Sequence, residues 1–194
     1  MSLHLYCGTG NPGKLREFRL AAGPDITIEP CAKRDCPETG DTFKANAKQK
    51  ALCYAEALGP GERVFVDDSG IEVDALNGAP GVYSARFSGP EATDESNNRL
   101  LLEKLAGVPE QRRGARYVCV IAVAEKGRVL QTFRATAEGR VVDEAAGNDG
   151  FGYDPYFYFP QTACRFAELD PETKWLHSHR GKAFRLMLAW LRQH

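Results

Sequence analysis

The sequence has little that would direct the protein into a membrane or onto a nucleic acid. No apolar run approaches the roughly 18 residues of a transmembrane helix, so no membrane interaction is expected. The N-terminus lacks the basic segment and apolar stretch of a signal peptide, which favours a cytoplasmic location. The formal net charge is only −1, so the broad basic surface that binds duplex nucleic acid is not expected. A small phosphorylated ligand, which needs only a few local cations, fits this balance.

The chain also lacks any Cys-x-x-Cys pair, the spacing typical of zinc and redox sites. Its cysteines lie mostly inside apolar stretches such as YCG, LCYA and YVCVIAV. Buried, reduced thiols of a cytosolic protein are therefore predicted, and a disulfide bond or a zinc site is the alternative. The six cysteines are Cys7, Cys31, Cys36, Cys53, Cys119 and Cys164.

Apolar periodicity and turn residues predict one α/β domain over residues 1–194, with a mixed sheet and helices. No linker, repeat or low-complexity segment interrupts it. A strand at 64–66 is predicted to present Asp67 and Asp68 at its C-terminal end. The other predicted strands cover 3–7, 26–29, 71–74, 115–124 and 128–137, and the predicted helices begin near residues 12, 42, 93 and 181.

Residues 8–14 read G-T-G-N-P-G-K and match two phosphate-loop patterns at once. The dinucleotide fingerprint fits, with Glu29 about where its ribose-binding acid is expected, but the regular βαβαβ spacing of that fold is missing. The Walker A pattern fits too, but Leu15 replaces its magnesium-binding Ser or Thr. Both share a strand, a glycine turn and a helix N-terminus with Lys14 in its first turn, which favours phosphate binding. An ordinary strand-to-helix turn is the alternative.

Two consecutive carboxylates follow the apolar strand at 64–66. Adjacent strand residues point to opposite faces, so only one of Asp67 and Asp68 is expected to face a site. Glu38, in the loop P-E-T-G, is a second candidate. Magnesium is typically bound by one or two carboxylates together with substrate phosphates, which Glu38 and Asp68 would satisfy. A capped turn at the strand end is the alternative.

A second glycine-rich loop and a basic cluster lie in the C-terminal part. In G-F-G-Y-D-P (150–155) an aromatic side chain could stack on a base, and Asp154 could accept from ring N–H groups. Downstream, His179 and Arg180 could donate to a purine O6 or N7, since those atoms are acceptors. Core packing of Phe151 and a solvated helix end are the alternatives.

Six segments together resemble one family, the inosine triphosphate pyrophosphatases, in order and over nearly the whole chain. They are T-G-N-P-G-K (9–14), E-T-G (38–40), D-D-S-G (67–70), G-A-P-G-V-Y-S-A-R (78–86), F-G-Y-D-P (151–155) and S-H-R-G (178–181). The resemblance implies an elongated mixed sheet flanked by helices, with two lobes around an active-site cleft. It also implies magnesium-dependent hydrolysis of ITP, dITP and XTP to the monophosphate and pyrophosphate, and a homodimer.

Site residues are carried over from the resemblance by position. It implies Asp68 and Lys14 as catalytic residues and Asp68 with Glu38 as magnesium ligands. The implied substrate-binding residues are Thr9, Gly10, Asn11, Pro12, Gly13, Lys14, Ser69, Phe151, Gly152, Tyr153, Asp154, Lys174, His179 and Arg180. Trp175 and His177 depart from the family pattern, which bears on packing beside the base pocket and leaves the chemistry unaffected.

Three other functions are compatible with parts of the sequence. The fingerprint at 8–13 with Glu29 suits a dinucleotide-dependent oxidoreductase, which leaves Glu38 and Asp68 unexplained. A non-catalytic nucleotide sensor or RNA-binding module is the second, and the retained carboxylates and Lys14 argue against it. A pyrophosphatase for another nucleotide, such as a modified pyrimidine triphosphate, is the third.

Overall fold

The computed structural model describes residues 3–194 as an α/β protein with seven strands and five α-helices. No helix among these residues has the length and apolarity to cross a membrane. The strands are β1 (Leu3–Cys7), β2 (Ile26–Pro30), β3 (Val64–Val73), β4 (Gly114–Glu125), β5 (Arg128–Val141), β6 (Phe157–Phe159) and β7 (Cys164–Arg165). The helices are α1 (Pro12–Ala22), α2 (Phe43–Ala55), α3 (Asp94–Lys104), α4 (Pro171–His177) and α5 (His179–Leu191).

The strands form one mixed sheet in the order β2-β1-β3-β4-β5-β6-β7. β1 pairs in parallel with β2 and with β3, whereas β6 pairs antiparallel with β5 and with β7. Parallel neighbours require crossover connections, which α1 and α2 occupy along the chain. The α/β class with a mixed sheet and flanking helices is therefore confirmed.

The chain packs as two compact units, each with its own core. Unit 1 takes the described residues up to Asp68 together with Cys119–Ala135 and Arg180–His194, and unit 2 takes Ser69–Val118 and Thr136–His179. In unit 1 the ring of Phe18 lies 5.0 Å from those of Phe65 and Phe184, all fully buried. In unit 2 the buried ring of Tyr117 lies 4.6 Å from that of Phe157. Such aromatic clusters contribute much of the buried apolar area of a core.

Local capping explains where the helices begin. The Asn11 side chain accepts hydrogen bonds from the backbone N–H groups of Gly13 and Lys14, and Pro12 occupies the first helical position of α1. Thr42 caps α2 in the same way. Thr93 and Ser96 form a reciprocal capping box at α3. The predicted helices near residues 12, 42 and 93 are therefore confirmed. Their starts are predictable from sequence because a cap depends on residues only three positions apart.

Several predicted boundaries are wrong. β3 continues without a break to Val73, so Asp67 and Asp68 lie in the middle of a strand and not at its end. α5 begins at His179, two residues earlier than predicted, and β5 extends to Val141. The sequence analysis does not predict β6, β7 or α4. The two strands have only three and two residues, and strands so short form only through pairing with a neighbour.

The prediction of six reduced thiols is wrong for two of them. Cys36 and Cys53 form a disulfide bond with a Cα–Cα distance of 5.8 Å. Cys36 lies in the loop before α2 and Cys53 lies on α2. Cys7 and Cys119 are buried free thiols as predicted, whereas Cys31 and Cys164 are free but partly exposed.

Candidate active site

The glycine loop after β1 lies in unit 1 and is accessible from solvent. Gly8 is buried, and a Cβ there would approach Cδ2 of Tyr54 and Cγ1 of Val66 to 2.7 Å, so the chain turns where only glycine fits. Gly10, Asn11, Pro12 and Gly13 are exposed, and Thr9 is half-buried. Thr9 Oγ1 accepts from the N–H of Asn11 at 3.1 Å, which orders the turn. The loop thus presents an ordered helix N-terminus to solvent, capped by Asn11, and phosphate binding there stays a prediction.

Asp67 is the anionic centre of a buried ion cluster. Its Oδ2 lies 2.7 Å from Nζ of Lys14 and 3.5 Å from Nε of Arg180, and the residue is 1% exposed. Burial alone would raise its pKa, but the positive charges of Lys14, Arg180 and Lys50 outweigh that effect and hold the pKa of Asp67 below its usual range. Asp67 is therefore ionised and bridges the glycine loop to the start of α5.

Asp68 is the next residue on β3, so its side chain belongs to the opposite face of the strand. Its negative charge is offset by fewer positive charges than that of Asp67. Burial, followed by the negative charges of Glu38 and Asp67, raises the pKa of Asp68 to about 6, against a hydrogen bond from Asn46 and the charge of Lys50. Its Oδ2 is buried and has no hydrogen-bond partner among residues 3–194. A buried carboxylate oxygen without a donor is costly, so a cation or a hydrogen-bond donor bound at this position would be favourable.

Glu38 and two residues of α2 complete this carboxylate centre. Oε1 of Glu38 lies 2.9 Å from Nζ of Lys50, which also approaches the backbone O of Asp67 at 3.4 Å. Asn46 is 1% exposed. Its side chain donates a hydrogen bond to Asp68 and accepts one from the backbone N–H of Gly40. The sequence reasoning missed Asn46 and Lys50, although their spacing of four on α2 places both on one helix face.

The residues present fit a magnesium ion. The orphaned Oδ2 of Asp68 and the raised pKa of that carboxyl beside Glu38 are both relieved by a cation. Within residues 3–194 no group of three or more His, Cys, Asp or Glu side chains could hold a metal ion. Magnesium does not need one, since it keeps several waters and takes one or two carboxylates plus phosphate oxygens. Asp68 and Glu38 are the residues that would hold it.

The second glycine-rich loop, in unit 2, is organised around Asp154. This carboxylate is 4% exposed and accepts from Tyr117 Oη at 3.0 Å, the Phe151 N–H at 3.0 Å and Lys174 Nζ at 2.6 Å. Gly150 has a φ of +89°, and a Cβ there would collide with the Asp154 and Lys174 side chains. Asp154 thus orders the loop and already accepts three hydrogen bonds, and its acceptor role toward a base stays a prediction.

The other predicted residues of unit 2 divide into exposed and buried ones. Phe151 is 37% exposed and lies under Nζ of Lys174, 5.4 Å from its ring centroid, so its ring is accessible for stacking. Gly152 is half-buried and fixed by Asp94 and Asn98. Tyr153 is buried, and its hydroxyl donates to the Ser84 carbonyl at 2.7 Å, so it is a packing residue of this unit.

His179 and Arg180 are consecutive but have different surroundings. The His179 ring stacks on Tyr117 at 4.7 Å with an interplanar angle of 8°. Arg180, assigned to unit 1, pairs with Glu17 at 2.9 Å and approaches Asp67. Arg180 therefore supports the ion cluster of the carboxylate centre, and its role toward a base stays a prediction. Ser69 is half-buried beside Asp68 in the sequence, and the ring of His177 lies 5.8 Å from that of Phe159.

Fold and site together define a class: an α/β protein with a mixed seven-stranded sheet, a solvent-exposed glycine loop and a buried carboxylate oxygen without a hydrogen-bond donor among the described residues. A sequence profile of the Ham1 family matches residues 5–190. The dITP/XTP pyrophosphatase of Acidobacterium capsulatum is 44% identical, over 98% of this chain and 99% of that protein. The dITP/XTP pyrophosphatase of an Exiguobacterium species is 46% identical, over 96% of each.

Solved structures agree with these sequence similarities. The Ham1 protein of Staphylococcus aureus superposes with a TM-score of 0.87 at 38% identity, covering 98% of both chains. A HAM1 protein of Coxiella burnetii gives a TM-score of 0.88 at 36% identity, covering 99% of this chain and 100% of that one. This chain belongs to the Ham1 family.

Proposed function

We propose that this protein hydrolyses non-standard purine nucleoside triphosphates (ITP, dITP and XTP) to the nucleoside monophosphate and pyrophosphate. Such an activity removes deaminated nucleotides before they are incorporated into DNA or RNA. Full-length relatives named dITP/XTP pyrophosphatases support the reaction. The observation in this chain that carries the proposal is the buried Asp68, whose raised pKa and donor-free oxygen suit a catalytic acid-base group.

The charge of the site supports magnesium as the cofactor. Glu17, Glu38 and Asp67 each form an ion pair with a cation of the cluster, whereas Oδ2 of Asp68 has no hydrogen-bond donor among the described residues and lies beside the negative charge of Glu38. A triphosphate would be repelled by the carboxylates of Asp68 and Glu38, and a bound divalent cation would offset that repulsion. When bound, magnesium neutralises charge on the phosphates and on the two carboxylates that hold it.

The chain's own residues supply positioning and proton transfer. Phosphoryl chemistry depends mainly on alignment and charge stabilisation. On this proposal Lys14 and the N-terminus of α1 hold the phosphates, and Asp68 orients the attacking water at the α-phosphorus and takes its proton. Without a cation the pKa of Asp68 is raised to about 6, and a bound cation would lower it, so Asp68 would act from its ionised, proton-accepting form. Pyrophosphate then leaves.

Selectivity is proposed to rest on the 6-oxo edge of the base. A site that donates to O6 and accepts from N1–H mismatches adenine, and each buried polar group left unpaired costs about 1–3 kcal/mol. Phe151 offers a ring on which a base could stack, and Lys174, whose Nζ lies over that ring, places a positive charge nearby. Guanine shares the 6-oxo edge, so exclusion of GTP must rest on its 2-amino group.

Three further elements belong to the proposal. They are a cytoplasmic location, a homodimer, and small nucleotides as the only ligands, without nucleic acid. The match to the Ham1 family over residues 5–190 argues against the oxidoreductase alternative. Glu29, its second support, lies 3.2 Å from Nε2 of His4 on the neighbouring strand. Tight NAD binding without phosphatase activity would restore that alternative.

The test is a product analysis. Purified protein is incubated with magnesium and ITP, XTP, GTP or ATP, and the products are separated by ion-exchange chromatography. Monophosphate and pyrophosphate from ITP and XTP, with little turnover of ATP or GTP, is the expected result. Diphosphate and phosphate would overturn the cleavage position, and absence of turnover would favour a nucleotide sensor.

A further inference from the structure

The loop that carries Glu38 is attached to one face of α2 at four points. On the helix, residues 46, 49, 50 and 53 share that face, because spacings of three and four bring side chains into line. The contacts are Gly40 N–H to Asn46 Oδ1 at 2.7 Å, Thr39 N–H to Gln49 Oε1 at 3.2 Å, Glu38 Oε1 to Lys50 Nζ at 2.9 Å, and the Cys36–Cys53 disulfide. The conformation of this loop sets the position of Glu38.

The disulfide is the covalent member of the set and lies close to the carboxylate centre. Cys36 precedes Glu38 by two residues, and Cys53 lies about one helical turn beyond Lys50. The bridge closes a sequence separation of 17 and therefore encloses both Glu38 and Lys50. Both cysteines are half-buried, so a small thiol can approach the bond.

Two of the other three contacts are partly exposed to water. Thr39 and Gln49 form two exposed hydrogen bonds, and the Glu38 side chain is 32% exposed in its pair with Lys50. The third contact, from the Gly40 N–H to the buried Asn46, holds the backbone two residues beyond Glu38 and does not touch its side chain. Partly exposed hydrogen bonds and ion pairs contribute little, because water competes for the same groups. A covalent link limits the conformations of the loop even when these contacts open. Without it, Glu38 would sample positions away from Asp68.

We propose that the Cys36–Cys53 disulfide is a thiol-responsive positioning device for the metal carboxylate Glu38. In the oxidised form Glu38 is held beside Asp68 and the divalent cation binds well, whereas reduction loosens the loop and weakens cation binding. The inference rests on the proposed function, because it assigns Glu38 to the metal. Disulfide bonds in reducing compartments are typically transient or redox-sensing, which is consistent with this role for a cytoplasmic enzyme.

The switching reaction is a thiol–disulfide exchange with a dithiol as reductant. One thiolate of the dithiol attacks a sulfur of the bridge, forming a mixed disulfide and releasing the other cysteine as a thiolate. The second thiolate of the dithiol then attacks the mixed disulfide and closes into an oxidised ring. Two electrons pass from the dithiol to the bridge, and two protons end on Cys36 and Cys53.

The test compares metal binding in the two redox states of the intact wild-type chain. Mn²⁺ alone is titrated into oxidised protein and into dithiothreitol-reduced protein, and free Mn²⁺ is measured by electron paramagnetic resonance. The magnesium dependence of ITP hydrolysis is measured in parallel. Losing an outer contact of a metal ligand typically weakens metal affinity by about 10–100-fold. We expect about tenfold weaker Mn²⁺ binding and a matching rise in half-activating Mg²⁺ on reduction, with kcat at saturating Mg²⁺ unchanged.

Three variants separate positioning from general destabilisation. Cys53→Ser is expected to bind Mn²⁺ like the reduced wild type with or without reductant. Cys31→Ser, a free and half-buried cysteine five residues before Cys36, is the matched control and is expected to behave like wild type. In Glu38→Gln the redox state is expected to have no effect on Mn²⁺ affinity, because the positioned ligand is gone.

Equal Mn²⁺ affinity in both wild-type states, with a thiol titration showing two additional free thiols after reduction, would overturn the inference. Retention of the redox effect in Glu38→Gln would overturn it as well. If Cys53→Ser fails to fold, the comparison of Mn²⁺ affinity between oxidised and reduced wild-type protein is the deciding test. A redox shift of Mn²⁺ affinity without any ITP turnover would support the positioning device and contradict the proposed function, so the two failures are distinguishable.

Discussion

Nζ of Lys14 lies 2.7 Å from Oδ2 of Asp67, a carboxylate that is 1% exposed. The lysine of the glycine loop is thereby tied to the centre of the sheet and has a structural role besides any contact with phosphate. A buried charge that loses a partner is destabilising, because the remaining charge is left poorly compensated.

Lys14→Ala is therefore expected to lower both stability and activity. Arg180 and Lys50 still compensate Asp67 in part, so we expect a loss of about 2 kcal/mol in the free energy of unfolding, measured by urea denaturation. kcat/KM for ITP is expected to fall even under conditions in which the variant remains folded, because Lys14 is also proposed to hold the phosphates. Lys44→Ala, an exposed lysine of α2, is the control. An unchanged unfolding free energy in Lys14→Ala would show that the ion pair does not stabilise the fold.

Asp68→Asn is expected to abolish turnover and to leave nucleotide binding largely intact. Stability should not fall, and the sign follows from the pKa. An acid whose pKa is higher in the folded than in the unfolded chain costs stability once both states are ionised, and at neutral pH asparagine removes that cost. Without divalent metal at pH 7 we expect a gain of about 1 kcal/mol in urea denaturation. Unchanged kcat would remove Asp68 from the mechanism.

Gly150→Ala is expected to impair substrate binding by displacing the Asp154–Lys174 pair. The new Cβ would meet both side chains, and the positive φ adds strain of about 1–3 kcal/mol. Gly127→Ala is the matched control, since Gly127 has a φ of +81° in a hairpin turn with open space around it. Thermal unfolding should show the backbone penalty in both variants and a larger loss in Gly150→Ala, with KM for ITP raised several-fold only in Gly150→Ala. Equal KM values would separate this loop from the substrate.

Alkylation of the free cysteines should follow burial and pKa. Burial raises the pKa of Cys31 to about 11 and raises the pKa values of Cys7 and Cys119 further. Only the thiolate reacts, so modification of Cys31 by iodoacetamide should accelerate about tenfold for each pH unit between 7.5 and 9.5. Cys7 and Cys119 should stay unmodified in the folded protein. Peptide mass spectrometry checks the pattern, and early modification of Cys119 would contradict the buried position of β4.

The parts of the structure that sequence could predict are those decided within a few residues. The cap at Asn11 and Pro12 and the alternation of Asp67 and Asp68 across the strand are examples. The continuation of β3 was missed because the polar run D-D-S-G resembles a strand end, and pairing within the sheet holds it extended. Asn46 and Lys50 were missed because their partners lie 22 and 12 residues away in the sequence. The disulfide was missed for the same reason.

The placement of two consecutive aspartates inside one strand has a consequence for protein engineering. Successive strand residues face opposite sides, so inserting or deleting one residue in β3 ahead of Asp67 would move each carboxylate to the opposite face of the sheet. An insertion would place Asp67 in the surroundings that Asp68 now has, and a deletion would place Asp68 in the surroundings that Asp67 now has. Any engineered change in β3 must therefore keep the number of residues ahead of Asp67, because both the face and the position of each carboxylate depend on it.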